Sequence, residues 1–237
     1  MYSLKSRVRF SEVDAKERLT LSSLVNYFQD VSTFHSEDVG AGLDYFKKKK
    51  LAWILNSWQI VIESYPKLSE RIEISTWPYD FKGFYGNRNF VIKNEKGKNL
   101  AYANSIWVLM GLENRHPVKV KKEMAAIYGG LEEKFPMNYK KRKIKLPETW
   151  ECLEPFPVRK YHIDTNNHVN NGQYIQMAKE FIPDDKTISQ MRAEYRREAV
   201  LGDIIVPKLH QEENAYMISL CDVEGKPYAI VAFECED

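Results

Sequence analysis

Val8-Arg9-Phe10-Ser11-Glu12-Val13-Asp14 lies over Val158-Arg159-Lys160-Tyr161-His162-Ile163-Asp164 at a shift of 150 residues. Three of the seven positions are identical, and Val13 and Ile163 are similar. Gly97-Lys98 and Gly225-Lys226 recur in the same order, each ahead of an alternating apolar stretch. The shared order predicts a duplicated unit. Each copy reads as a short extended segment ending at the Asp, then a helix, then a run of strands.

The helix of the first copy is signalled by Leu21, Leu24, Val25, Phe28 and Val31 at helical spacing, with Thr20 as N-cap. In the second copy Ile175, Ala178, Phe181 and Ile182 repeat the pattern more briefly, and Pro183 stops it. Strands are predicted over 52–63, 71–79, 87–94 and 100–110, then over 189–198, 204–211, 215–223 and 228–234. Asn94-Glu95-Lys96-Gly97 and Val223-Glu224-Gly225-Lys226 have hairpin-turn chemistry. One helix followed by antiparallel strands, twice, is an α+β architecture. The expected organisation is a first unit over 1–114, a basic linker over 115–150 and a second unit over 151–237.

The chain has 237 residues, 43% apolar and 29% charged, which suits a folded core and excludes disorder. A net charge of +2 gives no field that favours nucleic acid. The positive charge is local, since residues 115–145 carry ten Lys or Arg against three Glu. That stretch reads either as a solvated connector or as a docking patch for an acidic partner. No apolar run reaches the 18 residues or so that a membrane span needs. The first residues lack the apolar core of a signal peptide, so the expected location is cytoplasmic, with Cys152, Cys221 and Cys235 reduced. Those three cysteines have no zinc spacing, and neither a metal nor a cofactor is expected.

Chemistry concentrates in His162-Ile163-Asp164-Thr165-Asn166-Asn167-His168-Val169-Asn170-Asn171. An extended chain there would put Asp164, Asn166 and His168 on one face. Imidazole moves protons near neutral pH, and an amide can donate to a developing oxyanion. The competing reading is a turn with a helix cap. In the first copy the positions of Asn166 and His168 are held by Lys16 and Arg18, so that copy lacks the amide and the imidazole. A second candidate is Glu194-Tyr195-Arg196-Arg197-Glu198, where strand alternation would align Glu194, Arg196 and Glu198. It reads either as an exposed face of ion pairs or as the source of a general base, Glu198.

Asp164-Thr165-Asn166-Asn167-His168-Val169-Asn170-Asn171, followed by Tyr174, resembles the D-x-N-x-H-V-N-N-x-x-Y signature of the acyl-acyl-carrier-protein thioesterases. Glu194 to Glu198 resembles that family's downstream EYRRE stretch, and Arg7 to Leu24 with Trp77-Pro78-Tyr79 resembles its N-terminal half. The resemblance implies a tandem hotdog fold, each unit a long helix wrapped by a curved antiparallel sheet. It implies hydrolysis of the thioester between a fatty acyl chain and acyl carrier protein. It assigns Asp164, Asn166, His168 and Glu198 to the catalytic group. Plant members place a Cys after that Glu; here Ala199 stands there, so chemistry must run through a carboxylate and water or a carboxylate anhydride. Trp53, Trp58, Phe84, Tyr85 and Trp107 are candidates for an acyl slot on the first unit. A coenzyme A thioesterase, a hydroxyacyl dehydratase and a non-catalytic acyl-binding module are the competing readings. A homodimer is left open.

Overall fold

The computed structural model describes residues 1–121 and 123–236. In chain order the elements are β1 (Tyr2–Arg7), α1 (Leu21–Asp38), α2 (Leu43–Lys48), β2 (Leu51–Ile62), β3 (Arg71–Lys82), β4 (Tyr85–Asn94), β5 (Asn99–Gly111) and α3 (Glu123–Ile127). They continue with β6 (Glu151–Cys152), β7 (Phe156–Pro157), α4 (Asn171–Lys179), β8 (Thr187–Tyr195), β9 (Ile204–Glu212), β10 (Ala215–Cys221) and β11 (Pro227–Glu236). The chain forms two compact units: residues 1–56 with 62–139, and residues 57–61 with 140–237. The stretch 115–150 is thus divided between them, and β2 lends residues 57–61 to the second.

In the first unit β1, β3, β4 and β5 form an antiparallel run, with Ser3 opposite Ser75 and Phe90 opposite Ala103. The helix α1 buries Leu21, Leu24, Val25, Phe28 and Val31, the five residues whose spacing predicted it. The Thr20 side chain accepts the Ser23 N–H and caps the helix. The Phe28 ring packs on Phe90 of β4, with centroids 5.1 Å apart. Removal of such side chains from water is the main force that lays helix on sheet.

In the second unit residues 57–61 pair with β8, then β8 with β11, β11 with β10, and β10 with β9, all antiparallel. The short β6 and β7 pair with β9. The helix α4 is half as long as α1, and buries Tyr174, Ile175, Met177 and Ala178.

The two hairpin turns are built alike. Asn94 Oδ1 accepts the N–H groups of Lys96 and Lys98, and Asp222 Oδ1 accepts those of Glu224 and Lys226. Gly97 and Gly225 take φ of 75° and 81°, which suits glycine. Two expectations are corrected. The segments before Asp14 and Asp164 are not extended throughout, because each winds one 3-10 turn, Phe10–Glu12 and Lys160–His162. The strand expected over 189–198 ends at Tyr195. There the N–H groups of Arg196 and Arg197 both converge on the Tyr228 carbonyl, at 2.8 and 3.2 Å, and turn the chain away.

One buried polar cluster lies in the first unit. The Arg88 guanidinium donates to His35 Nδ1 at 3.0 Å and to Thr76 Oγ1 at 3.2 Å. Arginine is always the donor, so His35 must keep that lone pair and stay neutral. Burial first, then the Arg88 charge, lowers its pKa to about 4. An unfolded His35 titrates near its ordinary 6.5, so between about pH 6.5 and 4 the unfolded state takes up a proton that the folded state refuses. Stability should therefore fall on acidification through that window. Denaturant titrations at stepped pH should show a shallower loss in His35→Gln than in the parent; an identical slope would contradict this.

Candidate active site

Asp164 begins a tight turn in the second unit. Its Oδ1 accepts the Asn166 N–H at 2.8 Å and the His168 N–H at 3.4 Å. Its backbone N–H donates to the His168 carbonyl at 2.8 Å, and its carbonyl accepts the Asn167 N–H at 3.1 Å. Asn167 closes the turn at φ 63°, a left-handed conformation that Asn tolerates better than most residues. Asn170 then caps α4, its side chain accepting the Gly172 N–H at 2.8 Å. The expectation of three side chains sharing one extended face is thereby corrected. The carboxylate that would have pointed alongside Asn166 is instead occupied with backbone N–H groups.

The turn throws His168 toward the loop that follows β8. Nε2 of His168 lies 3.4 Å from Oε2 of Glu198, with 28% and 44% of the two side chains exposed. An imidazole and a carboxylate thus meet in a position that solvent, and so a substrate, can reach. Asn166 is exposed at the tip of the turn, and among the described residues its side-chain amide makes no hydrogen bond. Asp164 underlies the pair as the anchor of the turn.

The loop that carries Glu198 is tied down on several sides. The Val169 N–H donates to the Ala199 carbonyl at 2.9 Å, which joins the two site segments directly. The Ala199 N–H donates to the Tyr174 hydroxyl at 2.8 Å. Asp203 Oδ2 accepts the Val200 N–H at 3.0 Å and the Tyr228 hydroxyl at 3.0 Å. Arg197 pairs with Asp222 at 2.6 Å and lies over the Tyr228 ring.

Glu194 and Glu198 do not act together. Glu194 is buried at the end of β8, where Oε2 accepts the Ile144 N–H at 2.8 Å and Oε1 the Arg196 Nε at 3.1 Å. Gln59 Oε1 accepts the Lys140 N–H at 2.9 Å, and Arg192 donates to the Lys141 carbonyl. These bonds strap residues 140–144 to the sheet, while the side chains of Lys140, Lys141, Arg142 and Lys143 face outward. The strap and the Tyr174 clamp were not readable from the residues, because hydrogen bonds between distant segments leave no periodicity. Of the cysteines, Cys221 and Cys235 are buried and Cys152 is exposed, and none is bridged. Burial raises the Cys235 thiol, which keeps it unreactive. Trp53 packs with Phe46 and Phe81 in the first unit, and Trp107 Nε1 donates to Ser105. Among the described residues no group of His, Cys, Asp and Glu is placed to hold a metal, and no helix is long and apolar enough to cross a membrane.

The family model for the acyl-ACP thioesterase N-terminal domain matches residues 1–128, and that for the C-terminal domain matches residues 147–232. The chain belongs to the acyl-ACP thioesterase family. A curated relative, oleoyl-acyl carrier protein thioesterase 2 of Arabidopsis thaliana, is 29% identical over 225 residues, covering 86% of this chain and 61% of the relative. The chain thus spans about three fifths of the length of that curated relative. A solved acyl-ACP thioesterase from Bacteroides thetaiotaomicron superposes with a TM-score of 0.89 at 22% identity, covering 99% of this chain and 97% of that one. The 12:0-ACP thioesterase from Umbellularia californica gives 0.87 at 22% identity, covering 99% and 96%. These likenesses establish the fold expected of the family, a tandem hotdog.

Proposed function

We propose that the chain hydrolyses the thioester between a fatty acyl chain and the phosphopantetheine of acyl carrier protein. The products are free fatty acid and the carrier's free thiol. The observation that carries this reading is the 3.4 Å approach of His168 Nε2 to Glu198 Oε2 at an accessible surface, in a chain of this family. Glu198 takes a proton from water as the water oxygen attacks the carbonyl carbon. The negative charge then rests on the former carbonyl oxygen, where the unengaged Asn166 amide donates to it; one such donor is worth about 2.7–4 kcal/mol. The tetrahedral intermediate collapses, the carbon–sulfur bond breaks, and the proton taken by Glu198 passes through His168 to the leaving thiolate, which restores both residues. Asp164 contributes by holding the turn that carries Asn166 and His168. Ala199 provides no thiol, so the carboxylate and water carry the attack.

Exposed Lys140, Lys141, Arg142 and Lys143, on a strapped backbone, offer an acidic carrier a fixed basic surface. Carrier-linked acyl substrates of graded length, with matching coenzyme A thioesters beside them, should release fatty acid chiefly from the carrier. Glu198→Gln should lose about 10²–10⁴-fold in turnover; a folded Glu198→Gln enzyme with full turnover would contradict the reading. Neutralising the four basic residues should blunt the inhibition of carrier-substrate turnover by salt. Unchanged salt sensitivity would remove that surface from the account.

A further inference from the structure

The two units repeat the same turn at the level of single hydrogen bonds. Asp14 N–H to Arg18 carbonyl, Glu17 N–H to Asp14 carbonyl and Lys16 N–H to Asp14 Oδ1 match the bonds around Asp164, at 2.8, 3.0 and 2.9 Å. Glu17 has φ 57° where Asn167 has 63°. The following loop is repeated too. Leu19 N–H donates to the Pro66 carbonyl at 2.7 Å, as Val169 does to Ala199. Lys67 N–H donates to Glu70 Oε2 at 2.9 Å, as Val200 does to Asp203. Val8 N–H donates to the Glu70 carbonyl at 2.9 Å, as Val158 does to Asp203 at 2.8 Å. The matching bonds make Pro66 the counterpart of Ala199 and Tyr65 that of Glu198. The shift of 150 makes Leu24 the counterpart of Tyr174.

Two differences between the copies therefore belong together. The second unit has an amide N–H at Ala199 and a hydroxyl at Tyr174 that accepts it. The first has a proline, which has no N–H, and a leucine, which has no acceptor. The amide and its acceptor occur in the unit that carries Glu198, and neither occurs in the unit that carries Tyr65. There the Arg18 guanidinium lies over the Tyr65 ring, 5.6 Å from its centroid, in place of the imidazole–carboxylate pair.

We propose that Tyr174 is a positioning residue, whose hydroxyl holds the Ala199 amide and so aims the Glu198 carboxylate at His168. This rests on the thioesterase reading above. The peptide plane between Glu198 and Ala199 is held by Tyr174, and the plane between Ala199 and Val200 is held by Val169. With both planes fixed, the Glu198 Cα has one place to be. The clamp is itself rigid. Tyr174 is 2% exposed on the start of α4, which the Asn170 side chain caps by accepting the Gly172 N–H at 2.8 Å. Burial raises the Tyr174 hydroxyl above its ordinary range, so it is protonated at neutral pH. Ala199 is fully buried, so loss of the hydroxyl takes from its N–H the acceptor it has inside the protein.

Tyr174→Phe removes the oxygen and keeps the ring. Tyr195→Phe removes another tyrosine bond to the same helix, the 2.9 Å bond from its hydroxyl to the Asn171 carbonyl, which does not touch Ala199. Both should melt at lower temperature than the parent. With a carrier-linked acyl substrate, Tyr174→Phe should lose about ten- to a hundredfold in kcat with KM nearly unchanged, while Tyr195→Phe keeps the parent's kcat. Parental kcat in Tyr174→Phe, or equal losses in the two variants, overturns the inference. Glu198→Gln, run beside them, separates the levels. If it keeps full turnover, the thioesterase reading falls and takes this inference with it. If it is inactive while Tyr174→Phe is fully active, this inference falls by itself.

Discussion

The site depends on one hydrogen bond, from the Val169 N–H to the Ala199 carbonyl. It joins two segments some thirty residues apart in sequence and brings an imidazole against a carboxylate. Everything around it limits how far either side can shift. Asp164 spends its carboxylate on backbone donors, Asn170 caps the helix, and Asp203 closes the far end of the loop. On the proposed reading, a pair held this way needs little reorganisation as charge develops on the thioester, which is where such sites gain most of their rate.

The same bond exists in the first unit, where it holds no such pair. Duplication therefore preserved a scaffold and let the side chains on it diverge. Arg18 and Tyr65 replace His168 and Glu198, and their cation–π contact is a stabilising arrangement with no proton to move. The first unit instead keeps a buried cluster, Arg88 with neutral His35, whose described partners carry no negative charge. That cluster gives the first unit a buried histidine that resists protonation, while the proposed chemistry lies in the second.

Much of this was legible in the residues. The period of Leu21, Leu24, Val25, Phe28 and Val31 marks a helix because burying one stripe drives its packing, and stripes are visible in sequence. The repeat at 150 residues was visible because both copies keep the aspartate whose Oδ1 accepts the N–H two residues on and closes the turn. The alternation expected through Glu198 failed for a physical reason: the Tyr228 carbonyl accepts two successive N–H groups and ends the strand at Tyr195. Glu194 looked like a partner of Glu198, yet it turns inward to bind the Ile144 N–H, a contact fifty residues away that no local pattern encodes. The roles of Tyr174 and Ala199 were hidden similarly, since a backbone amide gives no sign in sequence of what will accept it.

The central claim is that His168 and Glu198 act as one unit on one thioester. A double-mutant cycle tests it most directly, with kcat/KM measured on a carrier-linked acyl substrate for His168→Gln, Glu198→Gln and the two combined. Residues that act as a unit are strongly non-additive. The combined variant should be about as slow as the worse single one. Losses that multiply through the cycle would show two independent residues and contradict the claim.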